Sequence, residues 1–139
     1  MRALERSREL EKSVSLDPKS ALFHRELGLV LLKLGELTAS KKELKQALSI
    51  DPKQPRAYFW RDEVYELQGQ PETAIQDLQA AVAKDPALVN AYRKLAQLYR
   101  KEGKTQEALE EMSKERAFQD AQNKRDRDSF LIEMGYPLL

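Results

Sequence analysis

Cysteine is absent from the 139 residues, and histidine occurs once, at His24. The first absence removes disulfides, thiolate nucleophiles and cysteine-ligated zinc together. The second leaves any serine–histidine–aspartate reading with His24 alone, and no companion constellation surrounds it. Glycine is limited to five residues and aromatics to 7%, a mix that suits solvated helices better than a β-sandwich. Charge of one sign is also missing, since the net charge is +1. There is then no bulk electrostatic pull toward nucleic acid or an anionic membrane. No apolar run approaches the roughly 18 residues of a membrane span; the stretch from Leu27 to Leu34 is broken by Gly28 and Lys33. The N-terminus has no apolar core of the signal-peptide kind, which points to the cytoplasm. No cofactor and no metal is expected.

What the chain does contain is a repeat. Asp17-Pro18, Asp51-Pro52 and Asp85-Pro86 are spaced by 34 residues, and so are Gly35, Gly69 and Gly103. Leu44, Leu78 and Met112 keep the same period, as do Ser40, Ala74 and Ala108. Proline cannot continue the preceding helix and pushes the residue before it out of the α region. The mid-repeat glycine supplies a turn where a Cβ would cost energy. Between these breakers lie segments of about 13 residues with apolar side chains at helical spacing. Leu27, Val30, Leu31 and Leu34 line one face, Ala74, Ile75, Leu78, Ala81 and Val82 another, and Leu95, Leu98 and Tyr99 a third.

On these residues the chain resembles the tetratricopeptide repeat family. Repeat one offers His24, Leu27, Gly28, Leu31, Gly35, Ser40, Leu44, Ala47 and Pro52. Repeat two offers Tyr58, Tyr65, Gly69, Ala74, Leu78, Ala81 and Pro86, and repeat three Tyr92, Leu95, Ala96, Tyr99, Gly103, Ala108 and Met112. The resemblance implies an all-α, right-handed superhelical array of antiparallel helix pairs, a solenoid of three full repeats at residues 17–50, 51–84 and 85–118. Residues 1–16 add a half-repeat helix and residues 119–139 a capping extension and apolar tail, all within one domain. By phase the first helix is the second half of an earlier repeat, so a fragment of a longer protein is expected. Arg61-Asp62 departs from the family's Leu-Gly. The Arg61 stem is expected to cover apolar surface with its head in water, whereas Asp62 needs a partner if buried. Glu115 departs from a family alanine, at a place where the last helix faces no further repeat.

The family's concave face is lined by the first helix of each repeat. Carried over, its positions are Leu22, Arg25, Leu29, Leu32 and Lys33 in repeat one, and Arg56, Phe59, Glu63, Glu66 and Leu67 in repeat two. In repeat three they are Asn90, Arg93, Gln97, Arg100 and Lys101. Such a groove would seat a peptide's apolar anchors near Leu29, Leu32 and Phe59, and a carboxylate near Arg93, Arg100 and Lys101. The plain alternative is a set of solvated helix faces. One subfamily grips chaperone C-termini through lysine and asparagine. Arg25 and Lys94 fall at two of those positions, but Leu29, Trp60 and Asn90 break the set, so chaperone binding is not expected.

Residues 119–128 are polar on every face, as the end of a repeat array requires. Ser129 to Leu139 is strongly apolar and is expected to dock, either back onto the last repeat or into another copy as a homodimer. Gly103-Lys104-Thr105 looks like the tail of a phosphate loop, yet Leu98 stands where that motif needs glycine; it reads as a hairpin turn. Glu110 and Glu111 are adjacent in a helix and point apart. The function expected is a non-catalytic protein-interaction scaffold with a protein or peptide partner. The alternatives are a docking or regulatory part of a multidomain enzyme and a single-stranded-RNA reader. The relative that reads RNA has a period of about 35 and more basic charge, and nucleic acid is not expected here.

Overall fold

The computed structural model describes residues 2–136. They form seven helices and no strand: α1 (Arg2–Leu16), α2 (Ala21–Lys33), α3 (Leu37–Ile50), α4 (Pro55–Leu67), α5 (Pro71–Lys84), α6 (Val89–Lys101) and α7 (Thr105–Glu133). The boundaries follow the sequence breakers. Ser20 Oγ accepts from the Phe23 N–H at 3.2 Å and caps α2, satisfying one of the orphan donors of a helix start. Pro55 and Pro71 open α4 and α5, where no intrahelical N–H is missed. Asp51 and Asp85 end α3 and α5 in extended backbone, as the following proline requires. Gly35, Gly69 and Gly103 have φ of +79°, +71° and +75°, and a Cβ there would meet nothing within 4 Å. Backbone conformation, not space, selects glycine at these turns.

The chain divides into two compact units, Met1–Pro86 and Ala87–Leu139. In the first, α1 packs on α2, the hairpins α2/α3 and α4/α5 close on themselves, and α3 packs on α4. Leu32, Leu44, Leu48, Ala57 and Val64 make a buried cluster, with Leu37, Tyr58 and Trp60 against it. Leu44 and Val64 are fully buried, each contributing about 1.5–3 kcal/mol over exposure. α2 and α3 approach closely because position 28 has no side chain: a Cβ on Gly28 would lie 2.6 Å from Leu44 Cγ. Ser40 Oγ donates to the Gly28 carbonyl at 2.6 Å in the same buried place. Gln54 was not singled out by periodicity, yet it is buried and its Nε2 donates at 3.0 Å to the Ala47 and Asp51 carbonyls. It thereby gives the Asp51 carbonyl a donor where α3 ends, and adds a second bond to the Ala47 carbonyl that already accepts the Asp51 N–H.

The α1 helix spans Arg2–Leu16, and only some of its apolar side chains face inward. Ser7 is buried, Leu10 and Val14 are half-buried, and Leu16 is 87% exposed. Leu4 is exposed as well. The seam runs Ala3, Ser7, Leu10, Val14, and Leu4 and Leu16 lie off it.

In the second unit, α6 and α7 pair as a hairpin around Ala91, Leu95, Leu98, Tyr99 and Ala108. With 29 residues against 13, α7 is about 43 Å long and α6 about 20 Å, so α7 continues well past its partner. The apolar C-terminal segment does not fold back within the described residues. It prolongs α7, with Phe130, Ile132, Met134 and Tyr136 each 59% exposed. Hydrogen bonds of the helical ladder through Ser129 and beyond hold it straight, and Gly135 at φ +79° ends it. Residues 137–139 of the expected tail lie outside the described residues. Among the described residues no helix is long and apolar enough to cross a membrane.

Candidate functional site

In the first unit the carried-over positions fall on α2 and α4. Leu22 and Leu67 are 51% and 62% exposed, large apolar side chains left in water. Lys33, Arg56 and Glu63 are exposed, while Arg25, Leu29, Phe59 and Glu66 are half-buried. Leu32 is different: at 7% exposure it belongs to the core cluster with Leu44, Leu48, Ala57 and Val64, so it supports the face from beneath and is not an anchor point. Arg25 is also engaged. Its Nη2 bonds Glu26 at 3.3 Å, its Nη1 donates to Gln54 Oε1 at 3.4 Å, and its guanidinium lies 5.9 Å from the Trp60 ring.

In the second unit Asn90, Arg93, Gln97, Arg100 and Lys101 are all exposed on α6. The basic end is not open as expected. Arg93 donates through Nη2 and Nε to Glu115 at 2.6 and 3.2 Å, and Arg100 Nη2 approaches Met112 Sδ at 3.5 Å. Glu115, the departure from the family's alanine, is the residue that holds Arg93. The hairpin turn carries Gly103-Lys104, and Thr105 begins α7, as read.

Behind these faces sits a feature that the periodic markers did not include. Glu43, Asp77 and Glu111 are also 34 residues apart, and each carboxylate has a different basic side chain as its partner. Glu43 Oε2 is 2.6 Å from Nδ1 of buried His24, whose Nε2 donates to the Pro18 carbonyl at 2.7 Å. Asp77 takes both Nε and Nη2 of Arg61, at 2.8 and 2.6 Å. Glu111 takes Lys114 at 3.1 Å from its own helix. His24 is thus a structural residue, with both ring nitrogens engaged. The Arg61 head is not in water: it is paired with Asp77 and lies 5.7 Å from the Tyr58 and Tyr65 rings. Hydrogen bonding to Asp77 raises the guanidinium pKa above its ordinary value against the opposing cost of burial. Asp62 is fully buried. An acid at a fixed repeat position was the sequence signal for this set.

Clefts open on these faces and beside them among the described residues. One of about 330 Å³ lies between α1 and α2, lined by Arg2, Ala3, Arg6, Glu26, Leu29, Val30 and Lys33. A second, of about 440 Å³, follows α3 along Thr38, Lys41, Lys42, Lys45, Gln46 and Ser49. The third, of about 320 Å³, is bounded by Arg93, Met112, Glu115, Arg116, Gln119 and Asp120. The carried-over positions Leu29 and Lys33 fall in the first, and Arg93 in the third.

The family model described as tetratricopeptide repeat matches residues 2–55, 25–88 and 63–123. Solved structures are similar as well. A crystal structure of MamA is 24% identical with a TM-score of 0.84, over 88% of this chain and 71% of that one. MamA 41-end from Desulfovibrio magneticus RS-1 is 22% identical with a TM-score of 0.80, over 87% and 68%. At these identities the likeness speaks for the fold. No curated protein sequence matches.

Proposed function

The chain belongs to the tetratricopeptide repeat family, and from that premise we propose that it is a non-catalytic scaffold that binds a partner protein or peptide on the first-helix faces of its repeats. The observation that carries the reading is the exposure of Leu22 on α2 and Leu67 on α4, together with Leu29 at the floor of a cleft. Large apolar side chains left in water beside charged ones mark surfaces that another polypeptide covers. Phe59, half-buried on the same helix as Leu67, offers the aromatic surface that interface hot spots favour. In the second unit, taken by itself, Asn90, Gln97, Arg100 and Lys101 supply exposed polar and cationic binding positions on α6.

A peptide-library array probed with the full chain tests this. Peptides selected by the parent chain should be lost on Leu29→Asp combined with Leu67→Asp, with helical circular dichroism unchanged. Retention of the same peptides by that variant would sink the proposal. A second reading, self-association, is favoured by the exposed end of α7, where four large apolar side chains cluster between residues 130 and 136. Light scattering of the full chain and of a version ending at Ser129 separates the two: a dimer that becomes a monomer on truncation supports self-association, and two monomers reject it.

A further inference from the structure

We propose that the cleft between α1 and α2 is an acid-selective peptide subsite, taking a segment in which carboxylates alternate with aliphatic side chains. The inference rests on the scaffold reading above and gives it a place and a charge preference. The floor is apolar: Ala3 from α1, with Leu29 and Val30 from α2. The rim is cationic: Arg2 and Arg6 on one wall, Lys33 on the other. Glu26 is the sole acid lining it among the described residues, and Glu26 is already held by Arg25 at 3.3 Å and by Arg6 at 3.6 Å. Arg2 and Lys33 have no carboxylate partner among the described residues. Two exposed cations therefore face an approaching ligand across an aliphatic floor.

The volume, about 330 Å³, is at the lower end of what ligand clefts provide and suits a few side chains at most. Charge complementarity gives the selectivity: a neutral or basic peptide would bury the aliphatic floor but leave the rim unpaired. The two other clefts fit less well. The α3 cleft carries Lys41, Lys42 and Lys45 but no aliphatic residue to form a floor, and Arg93 in the third cleft is paired with Glu115. The carboxylates of a bound peptide thus belong to α1 and α2 and not to the α6 positions that the family suggests.

The test is fluorescence anisotropy of the full chain with a fluorescein-labelled Asp-Leu-Glu-Leu-Asp peptide and its Asn-Leu-Gln-Leu-Asn counterpart. The acidic probe should bind at least about tenfold more tightly than the neutral one, and high salt should weaken it. Arg2→Glu with Lys33→Glu should abolish the preference. Arg100→Glu with Lys101→Glu should leave it within about twofold, and Glu26→Gln, which releases Arg6, should strengthen it. Equal binding of both probes, or loss in the Arg100 and Lys101 variant with retention in the Arg2 and Lys33 variant, overturns the subsite while the scaffold reading stands. No binding of either probe at about 1 mM also overturns it. The scaffold reading then survives only if library peptides still depend on Leu29 and Leu67.

Discussion

Hairpins α2/α3 and α4/α5 are built on the same 34-residue plan and closed by different chemistry. In the first, Leu27 and Gly28 occupy the positions that Arg61 and Asp62 occupy in the second. Leu27 is buried among apolar neighbours, and Gly28 lets Leu44 come within a distance that no side chain would permit. In the second, an ion pair between part-buried Arg61 and buried Asp77 crosses the hairpin, and Arg61 lies against two tyrosine rings. The acid on the second helix is common to both. Its basic partner comes from the aromatic position in one hairpin, His24, and from the leucine position in the other, Arg61. A repeat fold fixes where the two helices meet and leaves the closing chemistry open, provided that every buried polar group finds a partner.

The comparison is broken hardest at Asp77. Asp77→Ala leaves the Arg61 charge in place without its bidentate acceptor; removing one member of a buried pair costs about 3–5 kcal/mol, and part-buried Arg61 belongs at the lower end of that range. Urea denaturation should show a loss of that size, and a change below about 1 kcal/mol would mean that Arg61 swings into water unaided. Next come Leu44→Ala and Leu78→Ala, which are equivalent positions and both fully buried. Each should lose about 2–5 kcal/mol, whichever chemistry closes the hairpin beside it. A cost confined to Leu44 would show that hairpin α4/α5 leans on its ion pair instead of its core. Gly28→Ala should cost about 1–3 kcal/mol, because the new Cβ meets Leu44 at 2.6 Å in a packed core. A neutral outcome in the same denaturation series would show that Leu44 has room to yield.

Much of this was legible in the sequence because it was periodic. The Asp-Pro pairs and turn glycines mark the helix ends directly, since each has a backbone reason to recur. The core positions followed from the same period. Leu32 was misread because a family position transfers only a face, and α2 is apolar enough that one of its concave positions is drawn into the core. The Arg61 head was placed in water because a lone arginine in an apolar pattern gives no hint of Asp77, 16 residues on. The acids at 43, 77 and 111 were in plain view but fell outside the family's apolar marks. The α1–α2 cleft needed the structure: Arg2 and Arg6 belong to one helix and Lys33 to another, and no spacing rule brings them together. The polar capping extension beyond the last repeat was foreseen. Its apolar end was expected to dock, and no local term in the sequence shows that the helical ladder carries it straight on.

The smallest effect is the one that sharpens the comparison most. Arg61→Leu with Asp77→Leu converts the second hairpin to apolar closure at the ion-pair positions, and its stability should lie within about 1 kcal/mol of the parent. Replacing a buried pair with apolar side chains of similar size is often neutral or stabilising by about 1–4 kcal/mol, because two desolvation costs vanish together. Against that gain stands the loss of the ring contacts of Arg61 with Tyr58 and Tyr65, each about 0.5–1 kcal/mol at a partly exposed site. The two terms are of similar size and opposite sign, so the double variant should be far more stable than Asp77→Ala alone. That gap would show the pair to be a matched unit, costly to halve and cheap to exchange whole. If the double variant instead fell as far as the single one, the ion pair would contribute net stability that apolar packing cannot replace, and the second hairpin would not be a chemical variant of the first but a different solution to closing it.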